Sequence, residues 1–137
     1  MSDVSFLDIN LTNVQEPTVI PAGTEVEYQV QQNPVVKDSK NTPGNKYINV
    51  VLEPLGHPDA TLLYHMISIP NEKDDARTRQ FKLLQMKRFA DCFKIPFDAN
   101  GLSLEGWVGK TGWVLVDVDD SVDYGKQNRV KQFIQGR

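Results

Sequence analysis

The strongest constraint on the fold is a change of hydrophobic period along the chain. Apolar and polar residues alternate in several short stretches, whereas one longer segment has the three-to-four spacing of a helix. In PAGTEVEYQV, Val26, Tyr28 and Val30 lie on one side of an extended chain, with charged and amide side chains on the other. This alternation predicts a half-buried first strand.

The stretch KYINVVLEPL predicts a second strand with two different faces. Ile48, Val50 and Leu52 form its apolar side, which turns Tyr47, Asn49 and Val51 to the other, open side. An aromatic ring and an amide are therefore expected on the outer surface.

The stretch TLLYHMISIP predicts a third strand over residues 61–69, close enough to the second to form a hairpin. One facing buries Leu63, Ile67 and Ile69 and turns Tyr64 outward, beside the tyrosine and asparagine of the second strand. The opposite facing is also compatible with the pattern.

The segment DDARTRQFKLLQMKRFADCFKI, residues 74–95, predicts a single amphipathic helix. Two acids begin it, and Pro96 follows its last residue. The three-to-four spacing defines an apolar stripe that we expect to face the core. The stripe consists of Leu83, Met86, Ala90 and Phe93.

Two further strands are predicted after the helix. The first runs from Gly106 to Val118, with alternate valines inward and Trp113 and Leu115 outward; DDSVDYGKQN then forms a polar turn, and RVKQFI a short fifth strand. Three strands, one helix and two strands is the order of the OB-fold, a five-stranded Greek-key barrel. We therefore predict an all-β fold with one helix.

Length and composition predict one domain with an N-terminal arm. Residues 1–20 form the arm and residues 21–137 the OB-fold domain, because a chain of 137 residues buries a core without further support. We expect Phe6, Leu7 and Ile9 to pin the arm to the domain. No stretch resembles a signal peptide or an apolar span, so we expect a cytoplasmic protein without a membrane partner.

Soft metal ligands are few. The single cysteine, Cys92, cannot form an internal disulfide, and together with two histidines it is too little for a structural zinc site. We expect neither a metal nor a cofactor.

The letters Gly-Lys-Thr at residues 109–111 end a nucleotide-binding P-loop motif, but the spacing excludes one. The motif requires a glycine at position 104, which is Leu104, and a helix after the threonine. The stretch GWVLVDVD predicts a strand there instead. Lys110 is then either a phosphate contact beside an aromatic face or an ordinary exposed lysine.

No set of residues has the spacing of a catalytic centre. The acidic stretch DVDDSVD lacks the glycine and glutamate of a calcium loop, since those positions hold Val122 and Asn128. Acids on one loop do not form a two-metal nuclease site. His65 and Ser68, three apart on a strand, point to opposite faces. We expect the protein not to be an enzyme.

The net charge of −3 conceals an uneven distribution. Residues 1–30 carry five acids and no lysine or arginine, whereas residues 37–46 carry three lysines against one aspartate and residues 126–137 four basic residues and no acid. One such cluster alone is typical of a solvated surface. Several on one face favour a polyanionic partner.

In the barrel arrangement the basic loops border the aromatic face of the hairpin. Single-stranded nucleic acid binds such a surface, because lysine and arginine pair with phosphates while bases stack on flat rings. The candidate DNA-binding residues are Lys37, Lys40, Lys46, Tyr47, Asn49, Tyr64, Lys110, Trp113, Lys126 and Arg129.

The aromatic candidates also have structural interpretations. Tyr47 and Tyr64 either stack bases or cover the barrel. Trp113 either stacks a base or caps the core, and Gly109 and Gly112 near it favour the base by leaving room for close approach. We expect Trp107 to be structural.

Taken with these motifs, residues 20–135 resemble phage-encoded OB-fold single-stranded DNA-binding proteins of replication and recombination modules. The resemblance lies in PAGTEVEYQV, KYINVVLEPL, MKRFADCFKI, GWVGKTGWVLVDV and YGKQNRVKQFI. It implies a non-catalytic protein that coats transient single strands in the host cytoplasm, alongside replication or recombination proteins. The matching positions are Tyr47, Asn49, Tyr64, Lys110, Trp113 and Arg129. Many such proteins end in an acidic tail, whereas this sequence ends RVKQFIQGR.

Two alternatives remain open at this point. The chain is either a DNA binder or an OB-fold module for protein interaction or assembly, with its acidic arm and hairpin face binding a partner chain. The sequence also leaves open RNA in place of DNA, and the oligomeric state.

Overall fold

The described residues of this computed structural model, 5–122 and 125–137, form eight strands and one helix. In chain order the elements are β1 (Glu25–Val30), β2 (Val35–Asp38), β3 (Lys46–Pro54), β4 (Leu63–Ser68), α1 (Ala76–Phe93), β5 (Phe97–Asp98), β6 (Gly101–Leu102), β7 (Thr111–Ser121) and β8 (Gly125–Ile134). The prediction of a mostly β fold with one helix is confirmed. The predicted count of five strands is wrong, because β2, β5 and β6, of two to four residues, are too short to show a period.

Six strands form one antiparallel sheet. Five of them have the order β2-β3-β1-β7-β8, and the sixth, β4, pairs with β3 along the edge that does not contact β2 or β1. β5 and β6 form a separate hairpin between α1 and β7. In the described part of the chain no ladder pair joins β4 to β8, so the sheet is not a closed barrel. The two strands meet instead through side chains, with the His65 and Phe133 ring centroids 5.2 Å apart.

The core lies between the inner face of the sheet and α1. Alternate residues of β1, β3 and β7 are buried as their patterns predict, except that Val51, on the outward side of β3, is also buried. The open question of β4 is resolved: Leu63 and Ile67 are buried, whereas Tyr64 and Met66 are 58% and 64% exposed. Trp107, fully buried before β7, donates its indole N–H to the carbonyl of Ser103 at 2.8 Å, which confirms its structural role.

The helix lies where the sequence predicts it, and a capping residue ends it on each side. Asp75 caps its first turn by accepting a hydrogen bond from the Thr78 amide at 2.7 Å, and Lys94 ends it in a left-handed conformation. Its predicted stripe is only partly correct. Burial is confined to the last turns, so Leu83 is 40% exposed. No helix among the described residues is both long enough and apolar enough to cross a bilayer.

The predicted polar turn and short fifth strand are wrong. β7 continues to Ser121 and β8 begins at Gly125, so the two form one long hairpin; residues 123 and 124 of the predicted turn lie outside the described residues. Opposite charges face each other across the ladder, which supports pairing of polar strands. The Arg129 guanidinium lies 3.1 Å from the Asp117 carboxylate.

The arm is anchored only at its end. Residues 5–17 form neither helix nor strand, and Phe6, Leu7 and Ile9 are 82%, 66% and 62% exposed, so the prediction that they pin the arm is wrong. Ile20 is buried, and its backbone exchanges two hydrogen bonds of 2.8 Å with the buried Asn128 amide.

Candidate nucleic-acid interface

The outward side of β2, β3 and β4, here called the β2–β4 outer face, gathers cationic, aromatic and amide side chains. Lys37 on β2 lies opposite Tyr47 on β3, which lies opposite Ser68 on β4. In the next row, Asn49 lies opposite Met66. Partners across an antiparallel ladder point to the same face, so these side chains are neighbours.

Tyr64 extends this face toward the other end of the hairpin. It lies opposite Val51, four residues along β3 from Tyr47. Tyr64 is more than half exposed and Tyr47 is half-buried. The face thus presents two rings separated by roughly 13 Å of strand, at about 3.3 Å per residue.

A depression of about 390 Å³ lies at the basic end of this face. Lys40, Lys46 and Tyr47 line it together with polar loop residues. Lys82 also reaches it, but its ammonium lies 2.9 Å from the Asp74 carboxylate, which offsets its charge. Neither Lys40 nor Lys46 belongs to any ion pair among the described residues. Two lysines that form no ion pair with any described residue therefore border an aromatic ring, and Asp38 lies opposite one of them, Lys46, across the ladder.

Asn71 holds the basic loop beside the tyrosine. Its side-chain amide donates to the Gly44 carbonyl at 3.0 Å and to the Asn45 side-chain oxygen at 2.7 Å. Its backbone N–H donates to Asp74 at 2.8 Å, and this bond, more than the nearby Lys82, holds the pKa of that carboxyl below its usual range. Sequence reasoning missed this positioning residue. The only local signal is an Asx turn, in which Lys73 N–H donates to the Asn71 side chain.

Trp113 lies on a different part of the sheet. Its neighbours across the ladders are Glu27 on β1 and Ile134 on β8. The Arg137 guanidinium lies 3.9 Å from the centre of its ring and also pairs with Glu25. An arginine covers the ring, Glu27 lies opposite the tryptophan, and Glu25 pairs with the arginine.

Gly112 does not open space for a ligand next to Trp113. The glycine is buried, and a Cβ there would lie 3.0 Å from the Cys92 carbonyl and sulfur and from the Phe93 ring. The close approach is therefore between β7 and the end of α1. The interpretation that this glycine makes room for a base is wrong.

The remaining basic candidates are dispersed. Lys110 is exposed just before β7, where its carbonyl accepts from the Val30 amide at 2.9 Å. Lys126 lies opposite Asp120, and Arg129 pairs with Asp117. Six of the ten candidates come together: Lys37, Lys40, Lys46, Tyr47, Asn49 and Tyr64. The other four do not lie on the β2–β4 outer face.

Groups with reactive side chains do not come together in a catalytic arrangement. His65 packs beside the Phe89 and Phe133 rings at the wall of a cleft, where burial lowers its pKa to about 4. Burial raises the pKa of the Cys92 thiol to about 11. Residues 5–122 and 125–137 contain no cluster of three or more histidine, cysteine or acidic side chains suited to a metal ion.

Comparison with models of known protein families and with curated proteins finds none that matches this sequence. Function is therefore inferred from the chemistry of the β2–β4 outer face.

Proposed function

We propose that this chain is a sequence-tolerant single-stranded DNA-binding protein of viral replication or recombination. Bases stack on Tyr47 and Tyr64, while Lys37, Lys40 and Lys46 pair with phosphates. The observation that carries the proposal is the ladder register that sets Lys37 beside Tyr47, next to the depression lined by the other two lysines.

The strand order supports an OB-type core for this function. β1, β3, β4, β7 and β8, with α1 between β4 and β7, follow the chain order of the OB-fold. In that assignment β2 belongs to the connection between the first two OB strands, and the β5–β6 hairpin to the connection after the helix. The β2–β4 outer face then corresponds to the strand two and three surface that OB-folds use for oligonucleotides.

The composition of the face favours binding without sequence preference. Lysine acts as a point charge toward phosphate, and every base has a π-face for stacking. Asn49 is the one amide among the six gathered candidates. Affinity is therefore expected to depend on strandedness and salt much more than on sequence.

The test is fluorescence anisotropy with labelled oligonucleotides of about 30 nucleotides, which exceeds a site of roughly 4–16 nucleotides per OB-fold. We expect single strands of different sequence to bind with similar affinity, and the matching duplex to bind much more weakly. Equal affinity for duplex and single strand, or no binding of either, would contradict the proposal. An RNA strand of the same sequence tests the alternative substrate, and tighter binding of RNA would make it the preferred ligand.

A further inference from the structure

The N-terminal arm exposes an unusual amount of apolar surface. Five large apolar side chains within residues 5–17 are at least 62% exposed: Phe6, Leu7, Ile9, Leu11 and Val14. The segment also carries two acids, Asp8 and Glu16, and no lysine or arginine. Apolar side chains clustered in one uncovered segment mark an interaction site.

A basic and apolar surface lies on α1 and the adjoining strand. Arg77, Phe81, Leu84 and Arg88 recur at helical spacing, so they share one side of the helix. Phe81 is 62% exposed and Leu84 38%.

Beside this strip, a cleft of about 390 Å³ separates α1 from β8. Gln85 and Arg88 line one wall and Lys131 and Gln132 the other, and His65 and Phe133 also line it. We call this feature the α1–β8 cleft. It lies where β4 and β8 fail to pair.

The arm and the cleft are complementary in charge. In the described part of the chain, no ion pair involves Arg77, Arg88 or Lys131. The arm has acids without bases, and the cleft has bases without paired acids. Both also expose apolar side chains, so association would remove apolar surface from water while matching charge.

We propose that the arm of one copy of this chain binds in the α1–β8 cleft of a second copy. Each cleft receives the other copy's arm, which closes a two-fold dimer by exchange of identical segments. The acids of the arm face Arg88 and Lys131, and its apolar side chains cover Phe81 and Leu84.

The arm does not occupy the cleft of its own chain, since Phe6, Leu7 and Ile9 are at least 62% exposed. The first residue at which the arm is held, Thr18, forms a bridge with Ala60, which precedes β4, whereas the cleft lies between α1 and β8. The uncovered arm and the open cleft are therefore each available to a second copy. The α1–β8 cleft shares no residue with the six gathered DNA-binding candidates, so the dimer is independent of the proposed function.

Size-exclusion chromatography with light scattering tests the dimer on the full chain. We expect a dimer for the unaltered protein and a monomer for the triple variant Phe6→Ser, Leu7→Ser, Ile9→Ser. Arg88→Glu should raise the dimer dissociation constant by about tenfold or more. Lys87→Glu is the matched control, because Lys87 pairs with Asp91 on another side of the same helix, and it should leave the dimer intact. Far-UV circular dichroism checks that each variant is folded.

Cross-linking distinguishes exchange from self-docking. Leu7→Cys chains are mixed with Leu84→Cys chains under mild oxidation, while the native Cys92 is buried. A disulfide-linked heterodimer supports the proposal. A monomeric unaltered protein at all concentrations, or a double variant that only links to itself within one chain, overturns it. Loss of dimer with unchanged affinity for single-stranded DNA would separate this inference from the proposed function.

Discussion

The Arg137 guanidinium lies 3.9 Å from the centre of the Trp113 ring, and the same group pairs with Glu25. The last residue of the chain thus covers the tryptophan that sequence analysis placed among the DNA contacts. A cation over an indole face is attracted by the ring electrons, and at an exposed site the contact contributes about 0.5–1 kcal/mol. Trp113 is occupied within its own chain.

This contact predicts how tryptophan emission responds to quenchers. Arg137→Ala should make Trp113 more accessible to acrylamide, whereas Trp107 is fully buried and contributes an unquenched background. Arg79→Ala, which removes another exposed arginine, is the matched control and should leave quenching unchanged. If Arg137→Ala leaves acrylamide quenching at the wild-type level, the stacked arrangement does not persist in solution.

Base stacking on the β2–β4 outer face predicts a second set of results. Tyr47→Ala and Tyr64→Ala should each weaken binding of single-stranded DNA by about 1–3 kcal/mol, roughly 5- to 150-fold in the dissociation constant. The melting temperature should change little for Tyr64→Ala, because that ring is mostly exposed. Tyr47→Phe and Tyr64→Phe keep the ring and should retain affinity. Wild-type affinity in both alanine variants would move the DNA away from this face.

Where a strand is long, the sequence predicts which side of the sheet its candidate residues face. β3 has nine residues, so its alternation identifies Tyr47 and Asn49 as outward before any coordinates are known. The pairing of Lys37 with Tyr47 could not be predicted, because β2 has only four residues, all exposed, and no apolar face. Register between strands is a tertiary property, and a short exposed strand carries no pattern that specifies it.

Contacts between distant residues were also beyond prediction. Arg137 and Glu25 are separated by 112 positions, and no local pattern in the sequence connects them. Leu83 fits the helical stripe as well as Met86 does, but only the end of α1 is covered by the sheet. Helical spacing identifies a face of a helix, while burial depends on what packs against that face.

The salt dependence of binding tests which basic residues contact phosphate. Three lysines at three phosphates give a log-log slope of about −2, at roughly −0.7 per phosphate for a single strand. Lys40→Gln should make the slope shallower by about 0.7. Arg129→Gln removes the same charge and should leave the slope unchanged, because Arg129 pairs with Asp117. Equal loss of slope in both variants would show that the strand also crosses the β7–β8 hairpin.

Gly112 is predicted to affect stability and not DNA affinity. In Gly112→Ala, the new methyl group meets the Cys92 backbone oxygen and the Phe93 ring at 3.0 Å. Overpacking of this kind costs about 1–3 kcal/mol, and each kcal/mol lowers the melting temperature of a chain of this size by about 2–4 °C. Thermal melting and anisotropy below the transition measure both quantities. A variant with normal stability and lost affinity would restore the interpretation of Gly112 as a ligand contact.

Stability at mildly acidic pH is predicted to depend on His65. Burial beside the Phe89 and Phe133 rings lowers its pKa from 6.5 to about 4. Between these two values the unfolded chain binds a proton that the folded chain does not, so the free energy of unfolding falls as the pH falls. The full effect is up to about 3 kcal/mol, at 1.36 kcal/mol per pKa unit.

Three carboxyl groups also make stability depend on pH, but at lower pH than His65, so they do not obscure its effect. The pKa values of Asp74, Asp75 and Asp117 lie below 3.8, chiefly because a backbone N–H donates to each. Their contribution to stability is present above 3.8 and is lost only below it. Urea unfolding at several pH values between 4.5 and 6.5 should therefore show a steep decline for the wild-type protein and a much flatter profile for His65→Gln. The same decline in both proteins would mean that the imidazole is not buried in its neutral form.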